Sequence, residues 1–368
     1  MTDAKGIIFA YNVSPDLGEL VKKRTASSIP FAGRYRLIDF ALSSMMNAGI
    51  FDVGVIMQRD YQSLLDHLGS GKVWDMDRKT GGLRLLPPFG LPEYHRGNYS
   101  GTIEAMNAVF TYLEEIRQNN VVLMLGSLCA NIDLTEALAQ HTASDADITA
   151  ICSDRELPSQ HYKYVADRDG VVKEAKFSGS AEGLTSLECY IVKTPVLLDI
   201  VRKAAEKNQY QFHKEAIRDF LLDGGKMQVY VHRGYVSFVR TIGEYFQANM
   251  DLMVPANRWS LFPKERPVKT KNNEGVSTFY GEDARVSNCL LADSCRIEGT
   301  VENCVIFPGV RIEKGAKVKD CILMRGCTVG KNTQLRYVIA DKFAQFSDEE
   351  VLAGSSRLPI VVPKESKI

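Results

Sequence analysis

VSNCLLADSCRI from Val286, VENCVIFPGVRI from Val301, VKDCILMRGCTV from Val318 and LRYVIADKFAQF from Leu335 are one phrase written four times, the starts 15, 17 and 17 residues apart. Hydrophobic residues recur near every sixth position with small or β-branched residues between them. A coil of three short strands with that spacing buries its inner face only by stacking on the next coil, which predicts a left-handed parallel β-helix over residues 281–368. Cys289, Cys304 and Cys321 fall at one place in successive coils, and Cys295 and Cys327 share a second place with Val310. A position that accepts Cys or Val is a small apolar interior site. The eight cysteines include no CxxC pair and none stands at zinc-finger spacing from a histidine, so they read as reduced thiols rather than metal ligands.

Upstream of the repeat, residues 1–255 alternate short β-rich runs with helical periodicity, which predicts an α/β domain with a mainly parallel sheet. Strands are expected at 6–10, 53–57, 121–125, 148–152, 187–192 and 229–231. One helix is expected to start at Thr102, with Ile103, Met106, Val109, Phe110, Leu113 and Ile116 on its buried stripe. Another is expected at Thr194–Pro195, Thr capping the free N–H groups and Pro occupying the first helical position. Residues 256–280, where Pro263 and Pro267 alternate with lysine and arginine, read as a linker.

A chain of 368 residues suggests two domains. Forty-five basic residues balance forty-five acidic ones, so no global field argues for nucleic acid or an anionic membrane as partner. The apolar run Ile7–Ala10 is too short for a signal peptide or a membrane span, and a cytoplasmic location is expected. The histidines, at 67, 95, 141, 161, 213 and 232, form no triad or metal pair in sequence and read as structural or solvent-facing.

Three further blocks carry a resemblance. IPFAGRYRLIDFALSSMMNAGI (29–50), GKVWDMDRKTGGLRLLPPF (71–89) and YSGTIEA (99–105) closely resemble, in order and spacing, FGGxYRIIDFxLSNxxNSGI, GKPWDxDRxxGGVxxLPPY and YRGTADA of bacterial glucose-1-phosphate adenylyltransferases. The resemblance spans essentially the whole chain. It implies a Rossmann-like nucleotidyltransferase domain in front of the β-helix, and a reaction in which a glucose 1-phosphate oxygen attacks the α-phosphorus of ATP. That chemistry needs a glycine-rich loop for the triphosphate, cations, and carboxylates that hold magnesium.

This sequence departs from the family at each of those points. The loop GGxGxRLxPLTxxRAKPA falls on YNVSPDLGELVKKRTASS (11–28), replacing three glycines by Tyr11, Asn12 and Ser14. The loop arginine becomes Asp16, which repels a triphosphate, and the AKPA lysine becomes Ala26. The metal aspartate of GDH falls on Ser127, and that of GYWxDxGTI falls on Phe238 within GYVSFVRTI. The sugar-phosphate lysine of EKP falls on Phe177. A hydroxyl carries no charge to offset dehydration of a hard cation. Apolar loop positions Leu17 and Leu20 persist.

What the resemblance leaves is a set of pocket remnants, Gln58, Tyr99, Gly101, Thr102 and Gly126, and a basic stretch, Lys22, Lys23 and Arg24, as a possible effector-binding site. No catalytic residue, metal or cofactor is expected; Mg²⁺ would be needed only by an active form, with Asp133 or Glu104 as replacement ligands. The reading is a regulatory subunit of glycogen biosynthesis paired with a catalytic paralogue, in a heterotetramer, under a sugar-phosphate or nucleotide effector. A divergent active adenylyltransferase, an assembly scaffold and a hexapeptide-repeat acyltransferase are the alternatives. The last generally needs a histidine on the β-helix, and the final histidine here is His232.

Overall fold

The computed structural model describes residues 2–11, 15–88, 99–157, 162–177, 182–272 and 275–368. In chain order, the strands of the first unit are β1 Ala4–Ala10, β2 Pro30–Phe31, β3 Tyr35–Arg36, β4 Val53–Met57, β5 Leu83–Leu86, β6 Asn120–Leu125, β7 Leu128–Ala130, β8 Ile148–Ser153, β9 Tyr162–Ala166, β10 Val172–Phe177, β11 Leu184–Lys193, β12 Met227–Val231 and β13 Val236–Phe238.

Nine of these make one sheet, with the order β10-β9-β11-β6-β1-β4-β5 and β8 bridging β11 and β12. β5, β4, β1 and β6 run parallel. Their apolar residues do not alternate with polar ones because helices cover both faces: Ile7, Ile8, Val55, Ile56, Val122 and Leu123 are all buried. The other half is built on β11, which runs antiparallel to β6, β8 and β9. The sheet is mixed but mainly parallel, as expected: β8 pairs parallel with β12, and β8, β12 and β9 run in the same direction as β6, so that β11 and β10 alone run against the rest. The β9–β10 hairpin is absent from the expected strands, because lysines and a glutamate interrupt its apolar residues and most of β9 is only half buried.

Two helical expectations need correction. The run from Thr102 breaks at Val109 into Thr102–Ala108 and Phe110–Glu114. Thr194 is not a cap: the helix Thr194–Glu206 is preceded by Lys193, and the Thr194 hydroxyl donates to the Gln118 carbonyl at 2.6 Å.

The C-terminal unit consists of three five-stranded parallel sheets wrapped around one core. Strand pairing sets Val286 on Val301, Val301 on Val318 and Val318 on Leu335, the register read from the repeat. Each coil turns its corners in the same way. Asn288, Asn303, Asp320 and Tyr337, the third residues of their repeats, all have φ near +50°, and Ser294, Gly309, Gly326 and Phe343, the ninth, lie between +60° and +72°. Asn, Asp and Gly tolerate that left-handed conformation, so they mark the corners in sequence. Cys304, Cys321, Cys295 and Cys327 are buried in the core as expected, and Cys289, in the first coil, is half exposed.

The stretch read as a linker is strapped to the first unit. It opens with a helix, Pro255–Leu261, whose last carbonyl accepts from Asn131 Nδ2 at 3.1 Å. Further along, the Lys269 N–H donates to Ser43 Oγ and its carbonyl accepts the Trp74 indole N–H. An apolar seam then joins the units, with Phe31, Phe40, Tyr245 and Phe246 on one side and Val305, Phe307, Ile322, Met324 and Ile339 on the other. Within it Arg24 pairs with Asp341, side chains 5% and 3% exposed. Removing one partner of such a pair leaves a buried charge, at a cost of about 3–5 kcal/mol, whereas replacing both with apolar groups is close to neutral. Thermal or denaturant unfolding is therefore expected to show Asp341→Ala strongly destabilised and Arg24→Met/Asp341→Leu far less so.

Candidate functional site

The resemblance places the nucleotide cleft at the carboxyl ends of β1 and β6, and of the degenerate positions the structure brings Ser127 and Phe238 near one another. Ser127 follows β6, and β13 pairs with β7 so that Phe238 lies opposite Leu128, the residue after Ser127. Two positions separated by more than a hundred residues thus converge where two metal carboxylates would have to meet. Both side chains are buried. Neither gives magnesium an anionic ligand, so the donor set does not fit the ion. Among the described residues no group of three or more His, Cys, Asp or Glu stands at metal-holding distance.

Side chains fill the space instead. The Tyr11 ring, at the first loop glycine, meets Phe9 and Tyr99 edge-on, with centroids 6.0 and 5.8 Å apart. Both phenols are buried without a hydrogen-bond partner among the described residues. Burial, reinforced by Glu188, Tyr99 and Glu104, holds the Tyr11 phenol far above its usual pKa, and burial beside Glu104 pushes Tyr99 up to about 12, so both stay neutral. The Arg240 guanidinium lies over the Phe238 ring, 4.3 Å from its centroid, and is paired with Glu188. The other Glu188 oxygen is 3.6 Å from His213 Nδ1. Burial lowers the His213 pKa, with Glu188 opposing and Arg240 assisting. A void of about 10 Å³ lies among Phe9, Thr102, Leu123, Leu125, Glu188, Tyr190, Phe212 and His213, room for roughly one water.

Glu188 reaches this cluster at a backbone cost. It sits in a bulge of β11 between Ser186 and Cys189 with φ +52°, a conformation that penalises residues with a Cβ by about 1–2 kcal/mol. Neither Glu188 nor Arg240 was singled out from the sequence, and His213 was assigned a structural role; a lone glutamate inside an apolar strand pattern was the available signal.

The remnant residues have structural tasks. Thr102 Oγ1 accepts the Phe212 N–H at 2.9 Å, and a Cβ at Gly101 would lie 2.2 Å from the Tyr210 carbonyl oxygen. Gly126 donates to Phe9 O, and a Cβ there would meet Ser27 Oγ at 2.6 Å. Gln58 is buried just after β4, Ala26 is in the seam, and Asp16 is exposed on a short 3₁₀ segment, Pro15–Val21. Phe177 ends β10 opposite Tyr162. Asn12, Ser14 and Ser178 lie outside the described residues. The replacement carboxylates are committed elsewhere: Asp133 accepts the Glu136 N–H and pairs with Arg266 at 3.0 Å, and Glu104 accepts the Ser100 N–H.

The basic stretch is divided. Lys22 and Lys23 are exposed, Lys22 pairing with Glu19, whereas Arg24 is buried against Asp341 and is not a surface phosphate ligand. The site that unites cations is a cavity of about 520 Å³ between the two units, lined by Arg34, Arg36, Lys271, Arg325 and Lys342 against Asp66 and Asp293. Arg36 is held by Ser63 O at 2.6 Å and Ser63 Oγ at 2.8 Å, and burial lowers its pKa to about 10. Burial, then Arg36 and Arg24, bring Lys342 down to about 7. Five cations facing two carboxylates in a partly enclosed space favour an anion. Sequence reading missed it because Arg325 and Lys342 come from the β-helix, some 290 residues from Arg34 and Arg36.

Because Glu188→Gly and Glu188→Val both lose the ion pair but only the valine keeps a Cβ at φ +52°, the valine variant is expected to be less stable by about 1–2 kcal/mol. Equal denaturation midpoints would show that the bulge carries no strain.

Comparison with known proteins agrees with this architecture. The nucleotidyl transferase family model matches residues 16–254. The model for the GlmU-like C-terminal hexapeptide matches 274–355, in keeping with a left-handed β-helix. The chain is 33% identical over 334 residues to a glucose-1-phosphate adenylyltransferase of Clostridium botulinum (strain Alaska E43 / Type E3), covering 87% of this chain and 84% of that one. It is 30% identical over 361 residues to the glycogen biosynthesis protein GlgD of Bacillus subtilis (strain 168), covering 98% and 95%. A glucose-1-phosphate adenylyltransferase of Bacillus cytotoxicus (strain DSM 22905 / CIP 110041 / 391-98 / NVH 391-98) is 30% identical over 358 residues, covering 94% and 93%. With the strand order, the converging cleft positions and the coil register all in place, the chain belongs to the bacterial glucose-1-phosphate adenylyltransferase family of nucleotidyl transferases.

Proposed function

We propose that this chain is the regulatory, non-catalytic subunit of a glucose-1-phosphate adenylyltransferase in glycogen biosynthesis. A catalytic paralogue converts ATP and glucose 1-phosphate to ADP-glucose and pyrophosphate, and this chain assembles with it in a cytoplasmic heterotetramer. One observation carries the reading: Phe238, with the Arg240 guanidinium over its ring and Glu188 paired to that guanidinium, occupies the position of a magnesium carboxylate in the motif that this chain resembles. The cationic cavity between the units is open. A chain that had lost every role would have no reason to keep a polar cavity assembled from both units.

The division at residues 256–280 suits this role. Arg34 and Arg36 come from the hairpin next to the seam, and Arg325 and Lys342 come from coil corners across it. An anion held by both sides favours one relative arrangement of the units, and a subunit interface passes such a bias to a partner. Among the described residues no helix is long and apolar enough to cross a membrane.

The purified chain is expected to release no pyrophosphate above background from ATP, Mg²⁺ and glucose 1-phosphate, and to change the rate or activator response of a catalytic paralogue on mixing. Vigorous ADP-glucose synthesis by the isolated chain would overturn the proposal, as would a paralogue indifferent to it in both rate and activator response. Calorimetry with sugar bisphosphates and ATP is expected to place effector binding in the cavity. Arg36→Ala should weaken it about 10- to 100-fold, the range for a charge-assisted contact.

A further inference from the structure

Lys342 occupies an unusual position in this cavity. It is half buried at the start of a coil corner, directly after Asp341, whose carboxylate is taken up by Arg24 and by the Lys342 backbone N–H at 2.7 Å. The groups around it are mostly cations. Arg24 approaches from the segment after the 3₁₀ turn, Arg36 from β3 and Lys364 from the C-terminal segment. Arg34, Lys271 and Arg325 line the same cavity. The opposing charges are few. His67, from the helix Gln62–Leu68, is bound to Asp39, and the remaining lining carboxylates are Asp66 and Asp293. Guanidinium groups stay charged under all ordinary conditions, Lys271 donates to the Asp66 carbonyl at 2.7 Å and Lys364 pairs with Glu365 at 3.1 Å, so the half-buried Lys342 amine is the group in this ring that yields a proton to relieve crowding.

We infer that Lys342 is the proton-linked member of the anion site: with the cavity empty its amine gives up a proton, and an entering anion restores it, so that binding takes up one proton from solvent. The inference rests on reading the cavity as an anion site. It assigns the site a pH dependence of its own, distinct from any titration of the ligand. Burial and the neighbouring Arg36 and Arg24 lower the Lys342 pKa to about 7 in the empty cavity, and an anion raises it. Affinity is therefore level below that pH and falls above it, by up to about tenfold per pH unit until the bound-state pKa is passed. Folding has the opposite sign: the unfolded chain holds this proton up to higher pH than the folded one, so the folded state gains stability as pH rises above about 7.

The test uses the full chain and inorganic sulfate, whose charge is constant from about pH 6 to 9. Calorimetric titration at pH 6 and pH 8, in buffers of differing ionisation enthalpy, reads the protons exchanged. Wild type should take up close to one proton at pH 8 and close to none at pH 6. Lys342→Arg, which keeps the charge, should bind sulfate with no proton uptake, and Lys342→Met should bind more weakly at pH 6 with no pH dependence. Sulfate binding by wild type without proton uptake would overturn the inference and leave the anion site standing. Equal uptake by wild type and Lys342→Arg would overturn it in favour of another group. No sulfate binding at any pH would remove the anion site, and the inference with it.

Discussion

The placement of the two units depends on a pair of buried charges in an apolar seam. Arg24 and Asp341 are both almost fully shielded from water, and each would be costly without the other. Apolar contact alone would let the β-helix slide on Phe31, Phe40 and Phe246, since such contact is not directional. The ion pair adds direction. It fixes one coil of the solenoid against the segment that follows the former phosphate loop, and so fixes the distance between Arg36 on one unit and Lys342 on the other. The cavity between them is a consequence of that registration, and its excess of positive charge follows from which residues happen to meet there.

How much of this was legible in the sequence varies with the range of the forces involved. The β-helix was readable almost residue by residue, because each coil contacts its neighbours at a fixed offset and the corners require residues that tolerate positive φ. Asn288, Asn303, Asp320, Gly309 and Gly326 mark those corners; Tyr337 and Phe343 occupy them against preference. The parallel strands β1, β4 and β6 were readable because burial on both faces demands unbroken apolar runs. The β9–β10 hairpin was not, since polar half-exposed strands acquire their pairing only from β11. Thr194 misled for a related reason: its hydroxyl satisfies a tertiary acceptor, Gln118 O, instead of its own helix.

At the cleft, sequence could say what was missing but not what had taken its place. Ser127 and Phe238 read as lost carboxylates from motif resemblance, and the β7–β13 pairing sets Phe238 opposite Leu128, next to Ser127. Arg240 and Glu188 were invisible because they lie 52 residues apart and act only as a pair. Lys22, Lys23 and Arg24, contiguous in sequence, were grouped by charge alone. Folding separates them, sending Arg24 inward, because a β-helix carboxylate is available to it and to neither lysine.

The Arg240–Glu188 pair also bears on how the chain keeps a defined structure around Ser127 and Phe238. In the family that this chain belongs to, bound magnesium and phosphates would supply strong charges of both signs at this place, and a site stripped of carboxylates alone would be left with polar groups and no partner. Here Arg240 supplies a cation and Glu188 an anion, paired with each other with nothing bound. Glu188 accepts a left-handed backbone to do so, a strain of about 1–2 kcal/mol that persists only where neighbours over-determine it. Arg240, His213 and the adjoining β11 bulge are those neighbours. A cleft that holds its own counter-charges has no need of substrate to close it.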